Sequence, residues 1–494
     1  MPKNEALRLL ARLQSKTDHA GVKRKISEHL HDAARKKGVT KSQLEDSLIE
    51  NHGLVDGQLQ EMIGRFTANL QLYDNGKINV DWIKPNGKAQ KTVPSELKKD
   101  ASLKPELNQL FKLKKEITET YKYQKKQLEQ RLRFNAIWKY DEFKSQFLNH
   151  GLLCVITKQL IWTFKKEGKS KAVLFDKKWQ DVEGNSFLPD KHTTVTLWHP
   201  IYSTSDEVLV WRELLTARKI VQPFKQAFRE VYLLTDAEIN SGNKSARMSS
   251  HMLKQHVLNK LSKQRNWSYS LLGNYEGADT STYAIFSLGD MRGRCEFYCL
   301  PDNDEYTNAG IWKYVVSGHL QFIGRNNIVI ELVDVPPIVF SEVMRDLDLF
   351  MAVCSVGNDP EWLELAIANQ DAHRYYWEKD AFGQLNERAK SRKVLLETLL
   401  PKLKTKKVTK VEGNYVHVQG KLKSYKIHIS SGNILIQPND RYLCIVSKST
   451  KFNMLEKIYL PFEGDKLLSV IISKIFLLSE DHKITDATIL NQIK

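Results

Sequence analysis

The chain has 494 residues, with 75 Lys+Arg against 58 Asp+Glu for a formal charge of +17, and 41% of its positions are hydrophobic. That apolar content belongs to folded chains rather than disordered ones, and the length accommodates about three or four domains of roughly 100–200 residues, which excludes a disulfide-held mini-protein. The longest apolar stretch near the C-terminus, residues 469–478, carries Lys474 and falls short of the roughly 18 residues a membrane span needs. The N-terminal MPKNEALRLLARLQSK has neither an unbroken apolar h-region nor a small-residue cleavage site, so the expected location is cytoplasmic, without a membrane partner.

The first region, 1–65, reads as short helices. In VKRKISEHLHDAARKKG, Val22, Ile26, Leu30, Ala33 and Ala34 keep helical spacing, and Gly38 is placed to end the helix. Thr40 and Gln43 form a capping box for the next one, ahead of Leu44, Leu48 and Ile49. Two helices across a tight turn resemble a helix-turn-helix, but no arginine-rich recognition helix follows, and packing is the plainer reading.

From Phe66 the period changes to two. Leu70 and Leu72, the turn Asp74-Asn75-Gly76, then Ile78, Val80 and Trp82 predict a β-hairpin. Beyond Pro94, Leu110, Ile117, Tyr121, Leu128 and Leu132 recur at sevens and fours, predicting a long amphipathic helix from about Glu106 to Trp138 within a second region, 66–140. Between Lys88 and Arg133 there are 13 basic residues against 6 acidic, and between Glu387 and Lys410 there are 9 against 2. Such runs can neutralise phosphates, and Lys112, Lys115, Lys122 and Lys126 are the residues of the first run that would do so; the alternative is a solvated helix face. No zinc-finger spacing, RNP-type strand or GxxG loop accompanies them.

The third region, 141–407, is mixed. LLCVITKQLIWTF reads as helix-like, and KAVLF and TTVTLWHP as strands. Gly168-Lys169-Ser170 looks like the end of a phosphate loop, but the position five before its GK is Thr163 rather than glycine, which argues against ATP binding there. Helices are expected over Trp211 to Lys219, from Phe224 to Leu234 and from Met248 to Asn266, with strands over Tyr283 to Leu300 and Tyr314 to Val333. The last region, 408–494, is a run of short alternating segments punctuated by Gly413, Gly420, Gly432 and Asn439-Asp440, then a helix introduced by Asp465 and rich in Leu467, Leu468, Ile471, Ile472 and Ile475. PKLKTKKVTK at 401–410 is the expected hinge before it. The fold class is therefore α+β and multidomain: a helical N-terminal region, a mixed α/β centre, and a small antiparallel sheet with a closing helix.

Residues able to carry chemistry are few. If Phe224 starts a helix, Lys225 and Arg229 lie four apart on one face as a clamp for an anion, and Arg247, His251 and Lys254 offer a second cationic face; an ordinary charged helix surface is the plainer reading. Asp346 and Asp348 form a DxD pair, but in SEVMRDLDLF the spacing is helical, which turns the two carboxylates about 200° apart and denies them a shared metal ion. The five cysteines, Cys154, Cys295, Cys299, Cys354 and Cys444, are scattered. Cys295 and Cys299 stand four apart in a strand, about 13 Å, too far for a disulfide, so free thiols are expected. No HExxH, CxxC or GxSxG is present, so neither a metal nor a cofactor is expected, and no catalytic residue is assigned.

The segments Leu197-Trp198-His199-Pro200, Ile220 to Gln226 with Arg229-Glu230-Val231-Tyr232, DVPPIVFSEVMRDLDLF with SVGNDP at Ser355 to Pro360, and YKIHISSGNILIQPNDRYLCIV at Tyr425 to Val446 resemble the MolR-like proteins. These are a large bacterial family of unknown function named for a supposed molybdate metabolism regulator. The resemblance is to their C-terminal half, with residues from about 411 as an accompanying domain; many relatives are longer, with helical repeats and sometimes a WGR domain upstream. It implies a regulator with no established catalytic residues. Taken with the charge, the expectation is an uncharacterised bacterial regulatory or interaction protein, non-catalytic, whose partner is nucleic acid or an acidic protein. An enzyme acting on a phosphorylated or nucleotide-like substrate through Lys225, Arg229, Arg247, His251 and Asp346 is the alternative, and a passive scaffold the third.

Overall fold

A computed structural model describes residues 3–17, 19–273, 281–299, 305–358, 371–445, 461–462 and 465–493. Met1, Pro2, Leu300, residues 359–360 and Val446, which belong to segments quoted above, lie outside them. The fold is α+β, and the chain forms two compact units, Met1–Ala227 with Leu460–Glu463, and Phe228–Tyr459 with Gly464–Lys494.

The first unit begins with three helices, α1 (Lys3–Lys16), α2 (Ala20–Lys36) and α3 (Lys41–Ser47). Ile26, Leu30, Ala34, Leu44 and Leu48 are buried together, so the expected apolar spacing builds a small helical core. Gly38 takes a φ of 67°, and the Val39 N–H returns to the Ala34 carbonyl at 3.1 Å, which closes α2. The Thr40–Gln43 capping box is formed in both directions. Thr40→Ala is expected to cost about 1 kcal/mol, read as a lower urea midpoint of the full chain.

An antiparallel sheet follows, β1 (Gln58–Ile63), β2 (Phe66–Leu72), β3 (Ile78–Ile83) and β4 (Ala89–Gln90), in that order. It starts before Phe66, because the alternation in GQLQEMI is polar on its outer face and gives a weak apolar signal. Helix α4 (Ser95–Lys99) leads into α5 (Lys104–Arg131), whose Leu107, Leu110, Ile117, Tyr121 and Leu128 are buried. The Tyr121 hydroxyl donates to the Asp74 carbonyl at 2.6 Å, and its ring lies 2.5 Å from where a Cβ on Gly76 would be, so the β2–β3 turn must carry glycine. The helix stops at Arg131 rather than near Trp138: Asn135 adopts a φ of 46°, and Trp138 sits in a strand.

A second sheet, β5 (Ile137–Lys139), β6 (Trp162–Lys166), β7 (Lys169–Asp176), β8 (Lys178–Gln180) and β9 (Thr194–Leu197), has the order β5-β9-β6-β7-β8. LLCVITKQLIWTF is thus divided, with a helix over Leu153–Thr157 and β6 from Trp162, where bulky aromatic residues favour the strand. Gly168-Lys169-Ser170 belongs to a hairpin: Glu167 and Gly168, at φ 51° and 78°, form the two-residue turn between β6 and β7.

In the second unit, β10 (Met252–Lys254), β11 (Trp267–Ser268), β12 (Ser281–Leu288), β13 (Met291–Cys299) and β14 (Tyr314–Ile323) pair in the order β10-β14-β13-β12-β11, and β15 (Val329–Ile330) pairs with β14. The helix Pro337–Cys354 packs on it: Phe350 meets Trp267 edge-on at 5.4 Å between ring centroids, and Phe340 lies 6.3 Å from Phe322. A second antiparallel meander, β16 (Thr409–Glu412), β17 (Tyr415–Gln419), β18 (Ser424–His428), β19 (Ile434–Gln437) and β20 (Arg441–Leu443), carries the buried helix Lys466–Ser479, which Asp465 caps by accepting from the Leu468 N–H at 3.0 Å. Cys154, Cys295, Cys299 and Cys354 are free and buried, as expected, and Cys444 is half-buried and free.

Candidate functional site

The segment expected to be a helix from Phe224 is irregular, so Lys225 and Arg229 do not share a helical face. Pro223 disfavours helix in the preceding residue, and the side chains themselves replace backbone ladder bonds. In the first unit, Gln226 Nε2 donates to the Ile161 carbonyl at 2.8 Å and the Trp198 carbonyl at 3.0 Å, while its Oε1 accepts from the Ile161 N–H at 2.9 Å. Gln222 Oε1 accepts from the Ala227 N–H at 2.8 Å, and the buried Lys225 ammonium lies 5.1 Å from the Phe462 ring centroid.

In the second unit the same segment becomes one side of a buried charge network. Arg229 is 1% exposed and forms a fork on Glu342, with both N···O distances 2.6 Å. Glu230 accepts from Arg345 Nε at 3.0 Å, and the Tyr232 hydroxyl donates to Asp348. Burial pushes the Asp348 carboxyl up, opposed by the Arg388 charge and the tyrosine's hydrogen bond. Asp346 turns the other way and accepts from Arg265 Nε and Trp267 Nε1, both at 2.8 Å. The DxD carboxylates thus go to different partners, and each is committed to holding the helix Pro337–Cys354.

Met248–Asn266 is helical only from Gln255, so Arg247 and His251 lie in a loop and Lys254 in β10. Ser317 Oγ accepts from the His251 N–H at 3.0 Å and donates to the Met248 carbonyl at 2.6 Å, which draws this stretch onto the sheet. Arg247 pairs with Glu238 and donates to the Leu233 carbonyl at 2.7 Å. His251 Nδ1 lies 3.3 Å from the Tyr376 hydroxyl and 3.9 Å from Asp380; burial pulls its pKa down, and Asp380 opposes this. Arg229, Arg247, His251 and Asp346 therefore serve separate local networks and do not form a substrate clamp.

Lys112, Lys115, Lys122 and Lys126 of α5 are all exposed. At about 100° per residue they fall in an arc of roughly 80°, on the side away from the buried row of Leu110, Ile117, Tyr121 and Leu128. Lys104, also exposed, shares the arc, and the same periodicity extended toward the N-terminus finds it. Glu119 is an acidic member of this face. In the second unit, Lys402, Lys404, Lys406, Lys407 and Lys410 of the other basic run are exposed, but Arg388 and Arg392 are buried, Arg392 against Asp465 at 3.2 Å.

Sequence reading missed a cleft of about 280 Å³ between α1, α3 and α5, lined by Glu45, Asp46, Glu50, Glu116, Tyr123 and Arg131 among others. Its signal was the polar stripe Glu116, Glu119, Thr120, Tyr123 and Gln127 along α5. Arg131 forks onto Asp46, which also accepts from Trp138 Nε1 at 3.2 Å. Burial raises the Glu45 carboxyl and pushes Tyr123 up to about 12. The carboxylate excess makes the cleft hostile to phosphate. Among the described residues no group of three or more His, Cys, Asp or Glu could hold a metal ion, and no helix is long and apolar enough to cross a membrane.

Residues 87–267 match the model of a domain of unknown function, DUF4132, and residues 389–493 match a second, DUF7737. The chain is 26% identical over 263 residues to the uncharacterized protein YehI of Escherichia coli (strain K12), an alignment covering 49% of this chain and 21% of that protein. The chain thus spans about a fifth of the length of the curated relative it matches. No solved structure gives a significant match.

Proposed function

We propose that this is a non-catalytic cytoplasmic regulatory or interaction protein, of the MolR-like kind its sequence resembles, that associates with nucleic acid through the lysine face of α5. The observation that carries the reading is the exposure of Lys112, Lys115, Lys122 and Lys126 in one arc of a helix whose opposite side is fixed in the core. A lysine row held this way presents charge on a backbone that is already ordered, and each contact to a phosphate releases condensed counterions. Against the enzymatic alternative, Arg229, Arg247 and Asp346 are engaged by Glu342, Glu238 and Arg265 of the same chain rather than converging on one pocket.

The test is fluorescence anisotropy with mixed-sequence DNA and RNA at about 50 and 200 mM salt. Micromolar binding that weakens steeply with salt, and that the fourfold substitution Lys112→Gln, Lys115→Gln, Lys122→Gln, Lys126→Gln removes, is the expected result. A flat titration at the lower salt overturns the reading and directs attention to an acidic protein partner.

A further inference from the structure

We infer that the α5 face bridges the two backbone strands flanking the major groove of B-form duplex DNA, without reading its sequence; the inference rests on the nucleic-acid reading above. Lys112 and Lys115 form one pair and Lys122 and Lys126 another, both exposed. Their midpoints are about 16 Å apart at 1.5 Å per residue. The B-form major groove is about 12 Å wide with a phosphate row on either side, so each pair reaches one row. A-form RNA has a deep, narrow major groove and offers no such spacing.

The face also lacks what a single strand requires. Sequence-tolerant binding of single strands relies on aromatic rings on which bases stack. Tyr121 is buried with its hydroxyl on the Asp74 carbonyl, and Tyr123 is turned into the acidic cleft. Phe111, 43% exposed, stands beside the row between Lys104 and Lys112 and offers a single ring, where a single strand stacks successive bases on several. Between the pairs, Ile117 is buried, the Thr118 hydroxyl donates to the Lys114 carbonyl of its own helix at 2.9 Å, and Glu119 is acidic. No Arg, Asn or Gln stands there to address base edges, and Glu119 lines the acidic cleft, so the contacts expected are to phosphate and independent of sequence.

The experiment titrates the nuclease-treated full chain with a mixed-sequence 20-bp DNA duplex, its separate strands and the matching RNA duplex at about 50 and 200 mM salt. Duplex DNA is expected to bind at least tenfold tighter than either strand or the RNA duplex. Lys112→Gln/Lys115→Gln and Lys122→Gln/Lys126→Gln are each expected to weaken the duplex on the order of tenfold and to lower the salt slope by about two, at roughly 0.9 per lysine lost, leaving single-strand binding within about threefold. Circular dichroism of these surface variants checks that they fold. Equal affinity for single strands, preference for the RNA duplex, or an effect from one pair alone overturns the bridging inference while the nucleic-acid reading stands. Binding to none of the probes overturns both.

Discussion

Glu342→Ala is expected to cost the second unit about 3–5 kcal/mol, enough to lower its urea transition markedly or to prevent folding. Arg229 and Glu342 are at most 1% exposed, and the two 2.6 Å bonds supply the guanidinium with its countercharge. Removing the carboxylate leaves a full positive charge in the interior without the countercharge of Glu342, where desolvation is costly. The double change Arg229→Met/Glu342→Leu removes both charges while keeping bulk, and it should recover most of the loss. Urea unfolding of the full chain and both variants, followed by tryptophan fluorescence, checks this. A Glu342→Ala protein with an unchanged transition would show that the pair contributes nothing, and a double variant no better than the single one would place the effect in packing rather than charge.

The same pair shows where sequence reading ended. That Glu342, Arg345, Asp346 and Asp348 lie on a helix was legible from the apolar period of SEVMRDLDLF, and so was the divergence of Asp346 and Asp348. Their partners were not, because Arg229 lies 113 positions before Glu342 and Arg265 lies 81 before Asp346. Local spacing carries no information about such pairings. In IVQPFKQAFREVY the density of polar and aromatic residues is visible, yet helical spacing assigns it to a charged helix surface or an anion clamp, and the structure forms no helix there. Side chains that replace backbone hydrogen bonds, as Gln226 does around Ile161 and Trp198, give no period. The density therefore reflected internal bonding.

Elements bounded by turn chemistry were readable almost to the residue. The Thr40–Gln43 box, the Asp74-Asn75-Gly76 turn and the Asp465 cap each act over three or four residues, and the structure forms all three. On α5 the heptad-like apolar row placed the buried side, and that in turn placed the lysines on the opposite one. The acidic cleft was hidden for another reason: its polar stripe runs from Glu119, inside the lysine arc, toward the buried row, and whether such a stripe meets solvent or another helix depends on where α1 and α3 fold back.

Asp481 carries the second large expected effect. It is fully buried; its carboxylate accepts from the backbone N–H groups of Lys421, Leu422 and Lys423 at 2.9–3.1 Å, and from the Tyr425 hydroxyl at 2.9 Å. The approach is so close that a Cβ on Gly420 would collide with the carboxylate, so the loop joining β17 and β18 is built around this one side chain. Burial alone would push its pKa up, but the four donors outweigh it and hold the carboxyl below its ordinary value. With the folded pKa depressed, the stabilisation is fully present above the unfolded value of about 3.9 and is lost as pH falls through the folded one. Asp481→Ala strands three backbone donors at about 1–3 kcal/mol each and is expected to cost about 3 kcal/mol or more at pH 7. Asp481→Asn keeps one accepting oxygen, so its loss should be smaller and should shrink further as the wild-type carboxylate is protonated. Urea midpoints of wild type and Asp481→Asn between about pH 7 and 3 therefore converge on the acid side; a gap that stays constant over that range would mean that the carboxylate charge has no part in holding the loop.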